Sequence, residues 1–213
     1  MAIQRQARAE ATRQSIIRAA VELFGEVGYG DTDMTDVVAR AKTSGGTCYY
    51  YFPTKSSLAD AVIEQANAGI AAEMAPIWAS DEPAMLDLIT ATFRFIAITE
   101  NDPVVRVGYQ LRQAVRQISE AGATSFADTE VVFATCIRGG IRDGHIRADV
   151  TAKESAYTLF AALVGCRLLS DARSEDPFAS MAQVWRTVLQ SIATDEGLPV
   201  LMRRVRAESR KRT

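Results

Sequence analysis

The 213-residue sequence is poor in the residues that carry most catalysis. Its single histidine, His145, follows Gly144 in an expected loop and reads as a surface side chain. Its three cysteines, Cys48, Cys136 and Cys166, are isolated and odd in number. They form neither a disulfide framework nor a zinc site, and no His/Cys/Asp/Glu group has metal-ligand spacing. A nucleophile elbow and a phosphate loop are lacking, which argues against a helical-fold enzyme such as a lyase or hydrolase. No cofactor and no metal are therefore expected. There is no run of about 18 apolar residues and no visible signal peptide, so neither membrane insertion nor export is expected. A reducing cytoplasm is the natural setting. Strand-like alternation, internal repeats and low-complexity segments are also lacking.

What remains is helical periodicity over an apolar content of 48%. Met85, Leu88, Ile89, Phe93 and Ile96 fall on one helical face after Asp81. Asp102-Pro103 offers an N-cap followed by proline at the first helical position, opening a helix to about residue 119. Another helix spans about 125–142. Thr151 and Glu154 form a capping-box pattern that starts a long helix to about residue 172. Asp176-Pro177 starts the last long helix, to about residue 195. Long helices with short links predict an all-α bundle.

The N-terminal quarter differs. Residues 12–64 read as three short helices and a longer one. Ile16, Ile17, Ala20, Val21, Leu23 and Phe24 mark the first, with Thr32 or Asp33 capping the second. The polar turn Lys42-Thr43-Ser44-Gly45-Gly46 precedes a third helix carrying Thr47-Cys48-Tyr49-Tyr50-Tyr51-Phe52, which Pro53 stops. Helix, tight turn, helix is a helix-turn-helix pattern, whose second helix enters the major groove of DNA. Four consecutive aromatics cannot all face one side of a helix, because successive residues point about 100° apart. Phe52 is the expected core member, and Tyr49 and Tyr50 are candidates for DNA contact. Gly45-Gly46 reads as a plain turn or as a place of close backbone approach.

The net charge of −2 suits DNA only after it is divided. Residues 1–55 hold seven basic and six acidic residues, and residues 203–213 hold six and one. The middle of the chain therefore carries −8. Arg5, Arg8, Arg13 and Arg18 face only Glu10, a local excess able to neutralise phosphates. This N-terminal arm is expected to be partly disordered when free. The basic C-terminal segment reads as a solvated helix end or loose tail.

Residues 12–63 resemble the N-terminal domain of TetR-family transcriptional repressors. The likeness rests on Leu23-Phe24, Gly28-Tyr29, Thr32, Thr47-Cys48-Tyr49-Tyr50-Tyr51-Phe52 and Lys55. Cys48 and Tyr51 stand where the family usually has leucine and histidine. Gly45-Gly46 stands where it often has Lys-Gly, so one common basic contact is missing. The resemblance implies an N-terminal three-helix DNA-binding domain with a basic arm, residues 1–55. A helical domain for effector binding and dimerisation, residues 56–213, would follow. It implies DNA contacts from Arg5, Arg8 and Arg13, from Thr32, Thr43, Ser44, Gly45 and Thr47, and from Tyr49, Tyr50 and Lys55.

It further implies a homodimer that pairs helices 152–172 and 177–195 through Leu159, Leu163, Leu168, Trp185, Val188 and Ile192. Those residues serve equally well as core, and spacing does not separate the two. The fragments Pro103–Gly108, Val164–Arg167 and Val184-Trp185 are similar to the γ-butyrolactone autoregulator receptors of actinobacteria. Those receptors typically carry a tryptophan in the effector pocket about where Thr129 falls. Phe93, Ile96, Tyr109, Phe126, Phe133 and Phe160, with Gln110 and Thr129 as polar groups, are the pocket candidates, although each aromatic reads first as plain core. The implied function is a repressor that binds a palindromic double-stranded operator and is released by a small, neutral, mostly apolar effector. The alternatives are a constitutive DNA-binding or partner-binding helical module, and an enzyme.

Overall fold

The computed structural model describes residues 2–115 and 120–211, with side chains for 4–112 and 128–211. Among them are eleven helices and no strand beyond one isolated bridge pair. They divide into two compact units, Met1–Ala71 with Ile98–Ser119, and Ala72–Ala97 with Glu120–Thr213.

The first unit opens with α1 (Ala2–Glu26), a one-turn α2 (Gly28–Asp31), α3 (Met34–Arg40) and α4 (Gly45–Tyr51). It also takes the first part of α5 (Lys55–Trp78), the end of α6 (Ala84–Asn101) and α7 (Pro103–Val115). The expected disordered arm is instead the beginning of α1, which is helical from Ala2. Asp33 is the N-cap of α3, and the Asp36 carboxylate accepts from its backbone N–H at 3.3 Å. Thr54 and Ser57 cap α5 reciprocally, each backbone N–H donating to the other's hydroxyl at 3.2 and 3.0 Å. The apolar side chains Ile16, Ile17, Ala20, Val21 and Phe24 of α1 meet Val37, Cys48, Phe52, Leu58 and Val62. Val107 and Leu111 of α7 complete this core. Residues beyond 55 thus close the core of the N-terminal head, which is why the first unit does not end with α4. Gly108 lets α7 approach α5 closely, since a Cβ there would stand 2.3 Å from the Ala66 Cβ.

The second unit holds the rest of α5 and α6 with α8 (Glu120–Arg142), α9 (Ala152–Arg173), α10 (Pro177–Ile192) and α11 (Gly197–Glu208). Asp176 caps α10 by accepting from Phe178 N–H at 3.0 Å, with Pro177 at the first turn, as the sequence pattern predicts. Thr151 is the N-cap residue of α9 but makes no side-chain cap bond, so the expected capping box is not formed. Met85, Leu88, Ile89 and Phe93 of α6 pack with Ile137, Leu159, Met181, Trp185 and Leu189. One polar pair lies inside: the Trp185 indole N–H donates to Thr92 Oγ1 at 2.8 Å, and Thr92 donates to the Ile89 carbonyl at 2.7 Å. Both groups are satisfied, so burying them costs little.

The basic C-terminal segment is not a loose tail. α11 inserts Leu201 and Val205 into the second core. Arg204 donates to Thr90 Oγ1 at 3.0 Å and to Glu82 at 2.6 Å. Before it, the α8–α9 and α10–α11 connections are joined edge to edge at the bridge of Ile146 and Ala193. There Arg147 N–H donates to the Ile192 carbonyl at 2.9 Å, and Thr194 N–H to that of His145 at 3.0 Å.

Candidate nucleic-acid interface

The turn from α3 to α4 places Lys42 at φ +52°, a left-handed conformation uncommon for a residue with a side chain. Ser44 then caps α4, its Oγ accepting the Thr47 backbone N–H at 3.1 Å. The two hydroxyls, Ser44 Oγ and Thr47 Oγ1, are also hydrogen-bonded at 2.8 Å. Cys48 and Phe52 turn inward and are buried. Tyr50 is left 80% exposed and Tyr49 48% exposed, on the opposite side. Tyr50 stands edge-on to Tyr51 at 5.2 Å, and with Tyr49 beside it the exposed aromatic surface is contiguous, the kind that marks an interaction site. At Gly45 and Gly46 an added Cβ would meet nothing within 4 Å, so no packing inside the chain requires glycine there. Thr43, Ser44, Gly45, Thr47, Tyr49 and Tyr50 thus fall on one continuous segment, the turn and α4.

Arg5 and Arg8 are exposed on α1. Arg13 lies over the Phe52 ring at 5.6 Å and pairs with Glu10 at 3.9 Å, so it is partly engaged already.

Two expected contacts are placed elsewhere. Thr32 is fully buried, and its hydroxyl donates to the Gly28 carbonyl at 2.8 Å, so it has no surface to offer DNA. Lys55 turns its ammonium to three carbonyls, those of Tyr29, Gly30 and Thr32, at 2.8, 3.1 and 2.9 Å. An ammonium has three N–H donors. All three are used within the chain, and the charge also lies 4.7 Å from the Tyr29 ring centre. Lys55 therefore clamps the α2 turn to the start of α5 and has no donor left for a phosphate.

A role that sequence reasoning missed belongs to Arg40. It donates to Glu22 at 3.0 Å and to Glu26 through both terminal nitrogens at 3.1 and 2.9 Å, fastening α3 to α1. This holds the Glu26 carboxyl below its ordinary range. The signal was there to find: Glu22 and Glu26 stand four residues apart on one face of α1, facing a lone arginine in the last turn of α3.

Residues 16–62 match the sequence profile of the family described as "Bacterial regulatory proteins, tetR family". The N-terminal helices of the chain thus carry a domain similar to the one this family shares. The chain is 25% identical over 191 residues to the A-factor receptor protein of Streptomyces griseus. That match covers 89% of this chain but 66% of the receptor, so the chain spans less than two thirds of this relative. Among solved structures, a γ-butyrolactone receptor (ArpA-like protein) superposes with TM-score 0.78 at 21% identity, covering 94% of this chain and 98% of that one. CprB of Streptomyces coelicolor, in complex with its operator sequence, gives TM-score 0.78 at 24% identity, covering 96% and 100%.

In the second unit the residues expected at a dimer contact divide sharply. Leu159, Leu163, Trp185 and Ile192 are buried in the subunit's own core, with Trp185 wholly covered. They are core residues, and the expectation that they meet a partner is corrected. Val188 is half-buried and Leu168 is 56% exposed. On the same helix, α9, Leu169 and, three turns earlier, Tyr157 are exposed as well. The helix carries two apolar stripes: positions 156, 159, 163 and 166 face inward, continued by the buried Ser170, while 157, 161, 168 and 172 lie exposed.

The expected pocket residues also separate. Phe93, Ile96 and Phe133 are buried in the second core, and Phe160 packs against it with its ring edge-on to Phe133 at 5.6 Å. Phe93 stacks on Phe178 at 6.4 Å. Thr129 is half-buried on α8. Tyr109 and Gln110 belong to the first unit, Tyr109 buried and Gln110 exposed. The Phe126 side chain lies outside the described residues.

All three cysteines are buried, and burial raises each thiol above its ordinary range, Cys136 to about 11. With so little thiolate, Cys48 on the buried side of α4 is a poor redox sensor. Among the described residues no group of three His/Cys/Asp/Glu could hold a metal, and no helix is long and apolar enough to cross a membrane.

Proposed function

We propose that this chain is a ligand-responsive repressor that binds a palindromic operator as a homodimer and is released by a small apolar effector. Residues 1–55 serve DNA binding, and residues 56–213 serve effector binding and dimerisation. The observation that carries the reading is α4, a capped helix after a tight turn that exposes two tyrosines above a packed core. Arg5 and Arg8 supply phosphate charge, while Tyr49 and Tyr50 position the helix. Dimer symmetry dictates operator symmetry. The partner subunit docks on the exposed stripe of α9, with Leu168 at its centre and Val188 of α10 beside it. A cytoplasmic site of action follows from this role.

The effector reading is supported by the aromatic stock of the second unit, Phe93, Phe133 and Phe160. It is supported too by similarity to proteins named as A-factor and γ-butyrolactone receptors. The charge of −8 on residues 56–202 disfavours strongly anionic ligands, through a repulsion that salt screens. A lactone, lipid-like or aromatic molecule fits best. It must favour the released state, by about 5.5 kcal/mol for a full reversal from 1:99 to 99:1.

The test is selection of binding sites from randomised duplexes with the full chain, then fluorescence anisotropy on the enriched sequence. A palindromic motif, a dimer by sedimentation and release by a γ-butyrolactone with a rise in melting temperature would support the proposal. A monomer that enriches no sequence would sink it. A dimer that binds its operator regardless of every such compound would be a constitutive repressor.

A further inference from the structure

Resting on the operator reading above, we propose that Thr47 is the specificity-determining residue of the recognition helix and reads a thymine by its C5 methyl group. Strong direct readout in the major groove uses arginine or lysine on guanine, asparagine or glutamine on adenine, and carboxylates on cytosine. Residues 43–54 contain none of these side chains. Arg40, on the preceding helix, is held by Glu22 and Glu26, and Lys55, on the following one, by three carbonyls. Lys42 stands in the turn, before the helix begins.

The chemistry left on α4 is hydroxyl, aromatic ring and methyl. Thr47 is the β-branched member. Its Oγ1 is bound to Ser44 Oγ, and this bond holds χ1, so the γ-methyl is fixed with it. One of the pair's two hydroxyl hydrogens is committed to this bond; the other stays free, a rotatable donor that suits more than one base edge and so discriminates little. The methyl keeps full capacity for apolar contact with thymine. Gly45 and Gly46 lie just before it with open space where side chains would stand. That opening lets the backbone come close enough to a base edge for so short a side chain to reach it.

The test uses the full chain and the palindromic duplex it enriches from a randomised pool. Each thymine is replaced in turn by deoxyuridine, which removes only the C5 methyl. Each guanine is replaced by 7-deazaguanine, which removes only the N7 acceptor. At one position per half-site, uracil should weaken binding about three- to fivefold, the worth of one buried methyl. The guanine analogue should leave affinity within about twofold. Thr47→Ser keeps the hydroxyl bond to Ser44 and lacks the methyl, so it should bind the thymine and uracil duplexes equally. An unchanged melting temperature for Thr47→Ser checks that its fold is intact. A uracil penalty that persists in Thr47→Ser overturns the assignment, as does a guanine-analogue penalty of about tenfold with uracil tolerated everywhere. Failure to enrich any sequence overturns the operator reading and this proposal with it.

Discussion

Removing the Lys55 ammonium should destabilise the head of this protein and leave its phosphate contacts in place. Lys55→Met keeps most of the apolar stem and deletes three charge-assisted bonds, to carbonyls 23 to 26 residues away in the chain. A hydrogen bond to a charged group contributes about 1.5–3 kcal/mol. The three do not add, because the Gly30 acceptor is exposed and water replaces part of what is lost. The Tyr29 and Thr32 carbonyls are part-buried and lose a partner that water reaches less easily. A loss of about 2–4 kcal/mol results, or roughly 5–15 °C in melting temperature for a chain this long melting in one transition. Thermal denaturation without DNA reads it directly. Anisotropy at a series of salt concentrations supplies the contrast. A lost phosphate contact would reduce the slope of log K against log salt by about 0.9, whereas a lost clamp leaves it unchanged. Unaltered melting with a reduced slope would refute the clamp and restore Lys55 to the DNA surface.

Gly108→Ala should destabilise the first unit by about 1–3 kcal/mol through overpacking, and Ala66→Gly in the same chain should recover part of it; chemical denaturation of the two single variants and the double tests this. Leu168→Glu should give a folded monomer, whereas Leu159→Glu should fail to fold, since the first is exposed and the second fully buried; sedimentation with circular dichroism separates them. Trp185→Phe should cost about 1–3 kcal/mol, from lost volume and from a Thr92 oxygen that loses its donor while its own hydrogen stays on the Ile89 carbonyl, measured by urea titration. As pH falls below about 4.5, the ordinary value for glutamate, toward the lowered value of Glu26, the α1–α3 clasp through Arg40 should weaken. Arg40→Gln should remove that part of the acid sensitivity, read as melting temperature against pH.

Local rules exposed much of this fold in advance. Pro53 ends α4, Asp176-Pro177 starts α10 and Phe52 faces inward, because each depends on neighbours within one helical turn. What stayed hidden depends on distant partners. The carbonyls that hold Lys55 come from a turn that only folding brings near. Thr32 matches a family position, yet a matching position does not reveal that its hydroxyl bonds back to Gly28 inside the core. On α9, periodicity shows apolar stripes without saying which one a second subunit covers, so Leu159 and Leu168 look alike in sequence and lie on opposite sides in the structure. The basic C-terminal run obscured Leu201 and Val205, whose spacing of four places them on one buried face of α11.

The paired connections at Ile146 and Ala193 bear on how this chain can be altered. Loops between helices ordinarily accept added residues, because their backbone is solvated and little depends on their length. Here a Cβ at Gly197 would stand 2.3 Å from the His145 carbonyl oxygen, and Thr194 Oγ1 donates to the Gly144 carbonyl at 2.7 Å. Lengthening either connection would break its match to the other. Among related chains, insertions should therefore avoid residues 143–150 and 193–197 or arise in both together. An inserted tag or reporter belongs elsewhere.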